Sequence, residues 1–540
     1  GVVYLDKTPL NMWLMAASYC VFGVHDWAAR IPFALAAILL AWIVYRFGAW
    51  AFTPRAGFYS AAGIATCLGM YLFTRTVIPD VMLAVAVAAL FWSFSRALDP
   101  VSPPSLRWPL LAGAALGAGL LLKGLIAAVL PCGIAALYLA VTRSLRHRDT
   151  WTRLRPFTIA AVALMIAAPW FILATLRNPP YFDFTLSSGP GLWRGFFWRY
   201  FINEHVLRFL NLRYPRDYNT VPAVWYWLMH LVWLFPWSAY LAAVATRWHG
   251  RALFSAETRS GRVRLLALLW VGVVTIFFAL STSQEYYTMP AYPALFLLIG
   301  SAIDSGGRWV AWGSRVAGGI AALCFAATTS VLVSVAGKPT PFDISAALTQ
   351  NPEVYSLSMG HFLDLTLGAF AYLRLPLAIA AAAFAAGAFA LIYSRNIERA
   401  VLSLACMMVL FNVAAQRARA VFEPYLSSRP IADAINARRP DWIVFADEYD
   451  ALSSVAFYTN RRPLIWEGRF NNLEYGSNAP GAPDIFLDDA RLRGLWSGDR
   501  PVAIVTRDAK LPRLETVLGS LSSAIVMRSG GKLLLLNRPA

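Results

Sequence analysis

The sequence predicts an all-α polytopic membrane protein of about twelve spans, followed by a small α/β domain outside the membrane. Three observations predict it. Of the 540 residues, 58% are hydrophobic and only 14% charged, against about 25% charged in an average soluble chain. Runs such as IPFALAAILLAWIVYRFGAW (31–50) and WVAWGSRVAGGIAALCFAATTSVLVSVAG (309–337) approach or exceed the roughly 20 residues a helix needs to cross a bilayer. Toward the C-terminus the apolar runs shorten to strand length and alternate with turn residues.

The runs place spans at about 31–50, 56–73, 80–97, 108–122, 124–142, 157–175, 222–246, 263–281, 286–303, 310–335, 373–393 and 400–416. The basic loops TRSLRHRDTWTRLR (142–155) and RWHGRALFSAETRSGRVR (247–264) anchor the topology, because cytoplasmic loops carry the excess of Lys and Arg. Alternation from these anchors puts SRNIER (394–399) inside as well. It puts residues 1–29, the loops 74–79, 176–221, 281–287 and 336–372, and the hinge at Lys123-Gly124 on the outer face. With residue 1 already outside, the reading expects an earlier span ahead of GVVYLDKTPL. The expected domains are 1–416 in the membrane and 417–540 outside it. The second takes strands from DWIVFADEYD, PVAIVTRD and GKLLLLNRP and an amphipathic helix from SRPIADAINARRP.

The net charge of +18 does not point to nucleic acid, because much of it lies in the short basic loops that membrane topology requires. Cys20, Cys67, Cys132, Cys324 and Cys406 all fall in apolar stretches, without the spacing of a metal site or a disulfide framework.

The polar residues that interrupt this pattern are the informative ones. Asp80 opens a span behind a proline in RTVIPDVML, as either a helix cap or a carboxylate aimed into an outer cavity. Lys123 interrupts LLLKGLIAAVLP, where an ionisable side chain either snorkels or faces a cavity. In YLDKTPLNMW, Tyr4, Asp6 and Lys7 form an interfacial anchor, or a place where a lysine holds a phosphate. The aromatic loop FFWRYFINEHVLRF brings Glu204, His205 and Arg208 within one helical turn. SQEYYTMPAYPA sets Glu285, Tyr286 and Tyr287 at the outer mouth of a span, as an interfacial cluster or as hydrogen-bond partners for a sugar. The topology puts all of these groups on one face, which suits transfer of a sugar from a lipid phosphate at the membrane surface.

These motifs, with NNLEYGSNAP near the C-terminus, resemble the lipid-carrier-dependent glycosyltransferases (GT-C type), the family of lipid A aminoarabinose transferases and protein O-mannosyltransferases. YLDKTP departs by a threonine between lysine and proline, and LLLKG by a leucine where the family has threonine. The resemblance implies a bacterial inner-membrane enzyme with a periplasmic α/β domain, an undecaprenyl-phosphate sugar as donor and lipid A or another envelope molecule as acceptor. It further implies Asp80 as the catalytic carboxylate, and Lys7, Lys123, Arg208 and Tyr4 around the lipid phosphate. Glu285, Tyr286, Tyr287 and Glu474 are expected on the sugar or acceptor, and Asp6 with His205 on a divalent metal in some members. An acidic motif that the family carries ahead of YLDKTP falls before residue 1. Transfer to secreted proteins and transport of a lipid-linked sugar are the alternative readings.

Overall fold

A computed structural model describes residues 2–215, 223–247, 256–280, 284–340 and 368–538. Parts of the expected loops 176–221, 247–264, 281–287 and 336–372 therefore lie outside the described residues.

Among the described residues, the part before the C-terminal unit is built of helices joined by loops. Its first helices are α1 (Leu10–Phe22), α2 (Ile31–Ala51), α3 (Pro54–Thr66), α4 (Leu68–Thr74), α5 (Asp80–Ala97), α6 (Arg107–Lys123), α7 (Ile126–Val141), α8 (Arg148–Leu154) and α9 (Pro156–Arg177). After the long loop come α10 (Ala223–Trp233), α11 (Leu241–Arg247), α12 (Arg259–Leu280), α13 (Tyr292–Asp304), α14 (Arg308–Val335), α15 (Arg374–Ile392) and α16 (Ile397–Leu426). Among the described residues seven helices are long and apolar enough to cross a membrane, or up to nine if each of two bent pairs is one span. α9 shows what such a helix faces: Leu164, Met165, Ile172 and Leu173 are all more than half exposed, as a side chain against lipid tails is.

The two bent pairs correct the sequence reading, which drew 56–73 and 222–246 as straight spans. The first is bent by 49° between α3 and α4, and the second by 102° between α10 and the turn leading to α11. Backbone groups freed at a break inside a membrane need partners. One such pair is made between the two breaks, where Leu68 N–H donates to Phe235 C=O at 3.2 Å, and a side-chain bond from Trp237 Nε1 to Thr66 Oγ1 at 3.1 Å joins them further. The expected hinge at Lys123-Gly124 is present. α6 ends at Lys123, Gly124 turns the chain with φ +71°, and α7 starts two residues on.

α16 runs on to Leu426 and leads into an α/β unit. Its elements are α17 (Arg429–Arg438), β1 (Trp442–Phe445), α18 (Tyr449–Thr459), β2 (Leu464–Trp466), α19 (Asn471–Ser477), β3 (Phe486–Leu487), α20 (Asp489–Ser497), β4 (Val502–Arg507), α21 (Leu511–Leu518), β5 (Ile525–Ser529) and β6 (Lys532–Leu536). The expected strands appear as β1, β4 and β6, and the amphipathic helix as α17. The sheet order is β3-β2-β1-β4-β6-β5, parallel through β4 and antiparallel beyond. Val444 packs on one face with Ile504 and Leu535, and Ile443 and Phe445 pack on the other with Ala503 and Leu534. A sheet buried on both faces explains why WIVF is apolar at every position.

Candidate functional site

The hinge after α6 places the site. A cavity of about 600 Å³ opens between α5, α7, α12 and the long loop. One end is polar, with Asp6, Lys7, Asp80, Lys123, His205 and Arg208. The other is an apolar shaft walled by Leu83, Val87, Ile134, Trp270 and Val274.

Asp80 is the first residue of α5, makes no capping hydrogen bond and is 1% exposed. The helix-cap reading therefore falls. Its Oδ1 instead accepts from Lys123 Nζ at 2.5 Å, and its Oδ2 is buried without a hydrogen-bond partner. Lys123 lies over the rings of Tyr286 and Tyr287 at 5.3 and 4.7 Å, so carboxylate and aromatic faces together hold the ammonium at the neck of the cavity.

The loop supplies the opposite wall through a π-helix, Trp198–Leu207. Its wider turn brings residues five apart onto one side. Arg199 NH2 thus lies 3.7 Å from Glu204 Oε1, and His205 Nδ1 is 2.6 Å from Tyr200 C=O. Glu204 is the hub: Arg213 Nε donates to Oε1 at 2.6 Å, and Arg208 NH1 sits 3.5 Å from Oε2. Burial pushes its carboxyl up, but Arg213, Arg199 and Arg208 outweigh burial and hold it below the usual carboxylate range. Arg208 also donates to the Tyr287 hydroxyl at 2.9 Å, and Arg199 Nε donates to Asp6 Oδ1 at 2.7 Å. A continuous chain of contacts therefore runs Asp80, Lys123, Tyr287, Arg208, Glu204, Arg199, Asp6 around the rim. Lys7 completes the lining and makes no side-chain hydrogen bond or ion pair among the described residues.

His205 is neutral in this setting. Its Nδ1 donates to Tyr200 C=O, and its Nε2 accepts the Leu125 N–H at 3.3 Å. Burial, helped by Arg208 and Lys7, depresses its pKa. Both ring nitrogens of His205 are engaged and Asp6 Oδ1 is paired to Arg199, while Asp6 Oδ2 is buried without a hydrogen-bond partner. Asp6 and His205, where a metal was expected, both line the cavity, and no group of three or more His, Cys, Asp or Glu that could hold a metal gathers among the described residues.

Of the other expected residues, Tyr286 and Tyr287 line the cavity, whereas Tyr4 and Glu285 stand outside its lining. Glu474, expected on the sugar or acceptor, lies outside this lining. It accepts from Gly191 N–H at 3.1 Å and from the Tyr214 hydroxyl at 2.9 Å, tying α19 to the long loop. The sequence reading missed the structural roles of Arg199 and Tyr475. The signal for Arg199 was its five-residue spacing from Glu204, which an ordinary α-helix would not align.

The arrangement holds three cations, Lys7, Lys123 and Arg208, on a polar cap above an apolar shaft. Asp6, Asp80 and Glu204 balance them, and Arg199 and Arg213 behind the wall leave the patch with an excess of positive charge. Chemically the arrangement offers cations at one end and an apolar wall at the other.

Comparison with known proteins agrees. Residues 6–173 match the family described as dolichyl-phosphate-mannose-protein mannosyltransferase. The undecaprenyl phosphate-alpha-4-amino-4-deoxy-L-arabinose arabinosyl transferase of Aeromonas salmonicida is 29% identical over 316 residues, 56% of this chain and 51% of that protein. Its counterpart in Pseudomonas aeruginosa is 30% identical over 319 residues, 56% of this chain and 50% of that protein. The chain thus spans about half the length of the curated relatives it matches. The crystal structure of ArnT from Cupriavidus metallidurans bound to undecaprenyl phosphate superposes with a TM-score of 0.77 at 21% identity, covering 99% of this chain and 89% of that one. The chain has the ArnT fold and, as its motifs indicated, resembles the lipid-carrier-dependent glycosyltransferases.

Proposed function

We propose that the protein is a membrane glycosyltransferase that moves a sugar from a polyprenyl phosphate, undecaprenyl phosphate in a bacterium, to an envelope acceptor such as lipid A. The carrying observation is the two-ended cavity, in which Lys7, Lys123 and Arg208 face the end where a phosphate would lie and the shaft takes the isoprenoid. In this reading the chain has about twelve spans in the inner membrane, and the site and the α/β domain face the periplasm.

In the reaction, the bond between the sugar's anomeric carbon and the donor phosphate breaks, and an acceptor oxygen forms the new bond. The phosphate leaves on its lipid. Lys123 and Arg208 stabilise the negative charge that grows on it. Asp80 is already committed to Lys123 and its second oxygen is buried, which favours a role in holding that ammonium over a role as general base. A phosphate acceptor such as lipid A is itself an anionic nucleophile and needs no base.

The test is purified protein in liposomes with undecaprenyl-phosphate aminoarabinose and lipid A. Labelled lipid A is the expected product. In Lys123→Ala the rate should drop about 100-fold, since removing one member of a buried charge pair costs roughly 2–5 kcal/mol. Donor sugar appearing inside the vesicles without a glycosylated product would overturn transfer in favour of transport.

A further inference from the structure

The opposite end of α5 carries a second charged assembly. Arg96 lies sixteen residues beyond Asp80, roughly 24 Å along the helix, near the other headgroup layer. Its guanidinium lies over the rings of Trp50 and Trp108 at 5.1 and 4.6 Å. Arg107 lies over Trp108 at 4.7 Å, Arg46 over Trp42 at 5.7 Å and Arg259 over Trp50 at 5.0 Å. Arg46, Arg107 and Arg259 are within electrostatic reach of Arg96.

The acidic counterpart is Asp99, with a side chain 0% exposed, and it is already taken. Arg259 NH2 lies 3.0 Å from Oδ2, Arg262 NH2 3.6 Å from Oδ1, and Ser102 Oγ donates to Oδ2 at 3.0 Å. Arg46, Arg96 and Arg107 make no side-chain hydrogen bond or ion pair among the described residues, and Arg96 Nε is buried without a hydrogen-bond partner. Arg46, Arg96 and Arg107, from α2, α5 and α6, therefore converge with Arg259 and Arg262 beside a belt of tryptophans, five guanidinia against the carboxylate of Asp99, which also attracts Arg96. Arginines repel one another at this range unless an anion lies between them, and basic pockets between membrane helices take anionic headgroups.

We propose that this arginine–tryptophan cluster binds the phosphate of an anionic glycerophospholipid in the leaflet opposite the candidate site, with the lipid backbone against the tryptophan rings. The occupant is a bilayer lipid because Arg46 and Arg107 are exposed beside tryptophans at the ends of apolar helices, with Arg96 of the buried α5 behind them. The site shares no residue with the cavity at Asp80, and its existence does not depend on the function proposed above.

The test compares lipid retention by native mass spectrometry after exchange into phosphatidylglycerol or phosphatidylcholine, for wild type and for R46Q/R107Q. Both substituted residues are exposed and make no side-chain hydrogen bond or ion pair among the described residues, so the fold should survive; a second preparation, R146Q/R148Q in the exposed basic loop, controls for loss of charge alone. The expected result is retention of phosphatidylglycerol over phosphatidylcholine by wild type, weakened at least ten-fold in R46Q/R107Q and unchanged in R146Q/R148Q. Equal retention of the two lipids, unchanged retention in R46Q/R107Q, or equal loss in the control would overturn the site. Thermal stabilisation by inorganic phosphate alone, with no gain from phosphatidylglycerol, would overturn the lipid as occupant.

Discussion

His205 shows how a single residue fixes a pH response. Its imidazole is held neutral by burial, by Arg208 and Lys7, and by a backbone N–H that needs Nε2 as acceptor. The unfolded chain binds the proton more readily than the fold does, so folding stability is full above the ordinary histidine range near 6.5 and falls as pH drops below it. Stability attributable to His205 should therefore decline as pH falls below about 6.5. Thermal unfolding of wild type and His205→Gln across that range should isolate it from the other histidines, and parallel curves would refute the assignment. Glu204 behaves differently. Its depressed pKa keeps its contribution intact above the ordinary carboxylate range, and that contribution is lost only as pH falls below it.

At the scale of elements, the break between α6 and α7 positions the site. Gly124 has a positive φ, and a Cβ there would collide with the Tyr200 hydroxyl. Gly124→Ala should therefore act twice, by backbone strain of about 1–3 kcal/mol and by pushing Tyr200 and the π-helix off the end of α6. The expected outcome is donor binding weakened about ten-fold with secondary structure retained, measured by lipid binding and circular dichroism. Unchanged binding would mean that the hinge and the loop move independently. This element also shows what the sequence disclosed. Lys123-Gly124 was legible as a hinge because one lysine and one glycine interrupt an apolar run, and Asp80 was legible because a carboxylate is rare at a span end. The pairing of the two was not, since they stand 43 residues apart and nothing local reports the meeting of two helices. The broken spans were hidden for a related reason. Composition reports that a stretch is apolar enough for lipid, but the bends at Cys67 and Pro236 rest on hydrogen bonds exchanged between two distant segments.

Across the whole molecule, the α/β unit meets the loop that walls the site through α19, where Tyr475 stands beside Glu474. Tyr475 on α19 inserts into the aromatic cluster of Leu5, Phe196, Trp198 and Tyr200. Its hydroxyl accepts from Arg194 N–H at 3.0 Å and donates to Gly195 C=O at 2.8 Å, and Arg199 lies 4.7 Å over its ring. Arg199 in turn holds Asp6 and leans on Glu204, so the ring supports the rim of the cavity from outside the membrane part. Tyr475→Phe keeps the ring and leaves the Arg194 and Gly195 groups to find other partners, a loss of about 1–3 kcal/mol. Tyr475→Ala also empties a buried aromatic site, for which about 3–5 kcal/mol is typical. If the unit only covers the cavity, both variants should lose stability while surviving folded protein keeps its affinity for the lipid phosphate. If the ring sets Arg199, affinity should fall in Tyr475→Ala and persist in Tyr475→Phe, because only the alanine variant removes the cation–π contact. The geometry predicts the second pattern. Lipid-phosphate titration of the two variants, normalised to folded protein, decides between them: equal affinities would reduce the α/β unit to a cover, and a selective loss in the alanine variant would make it part of the binding apparatus.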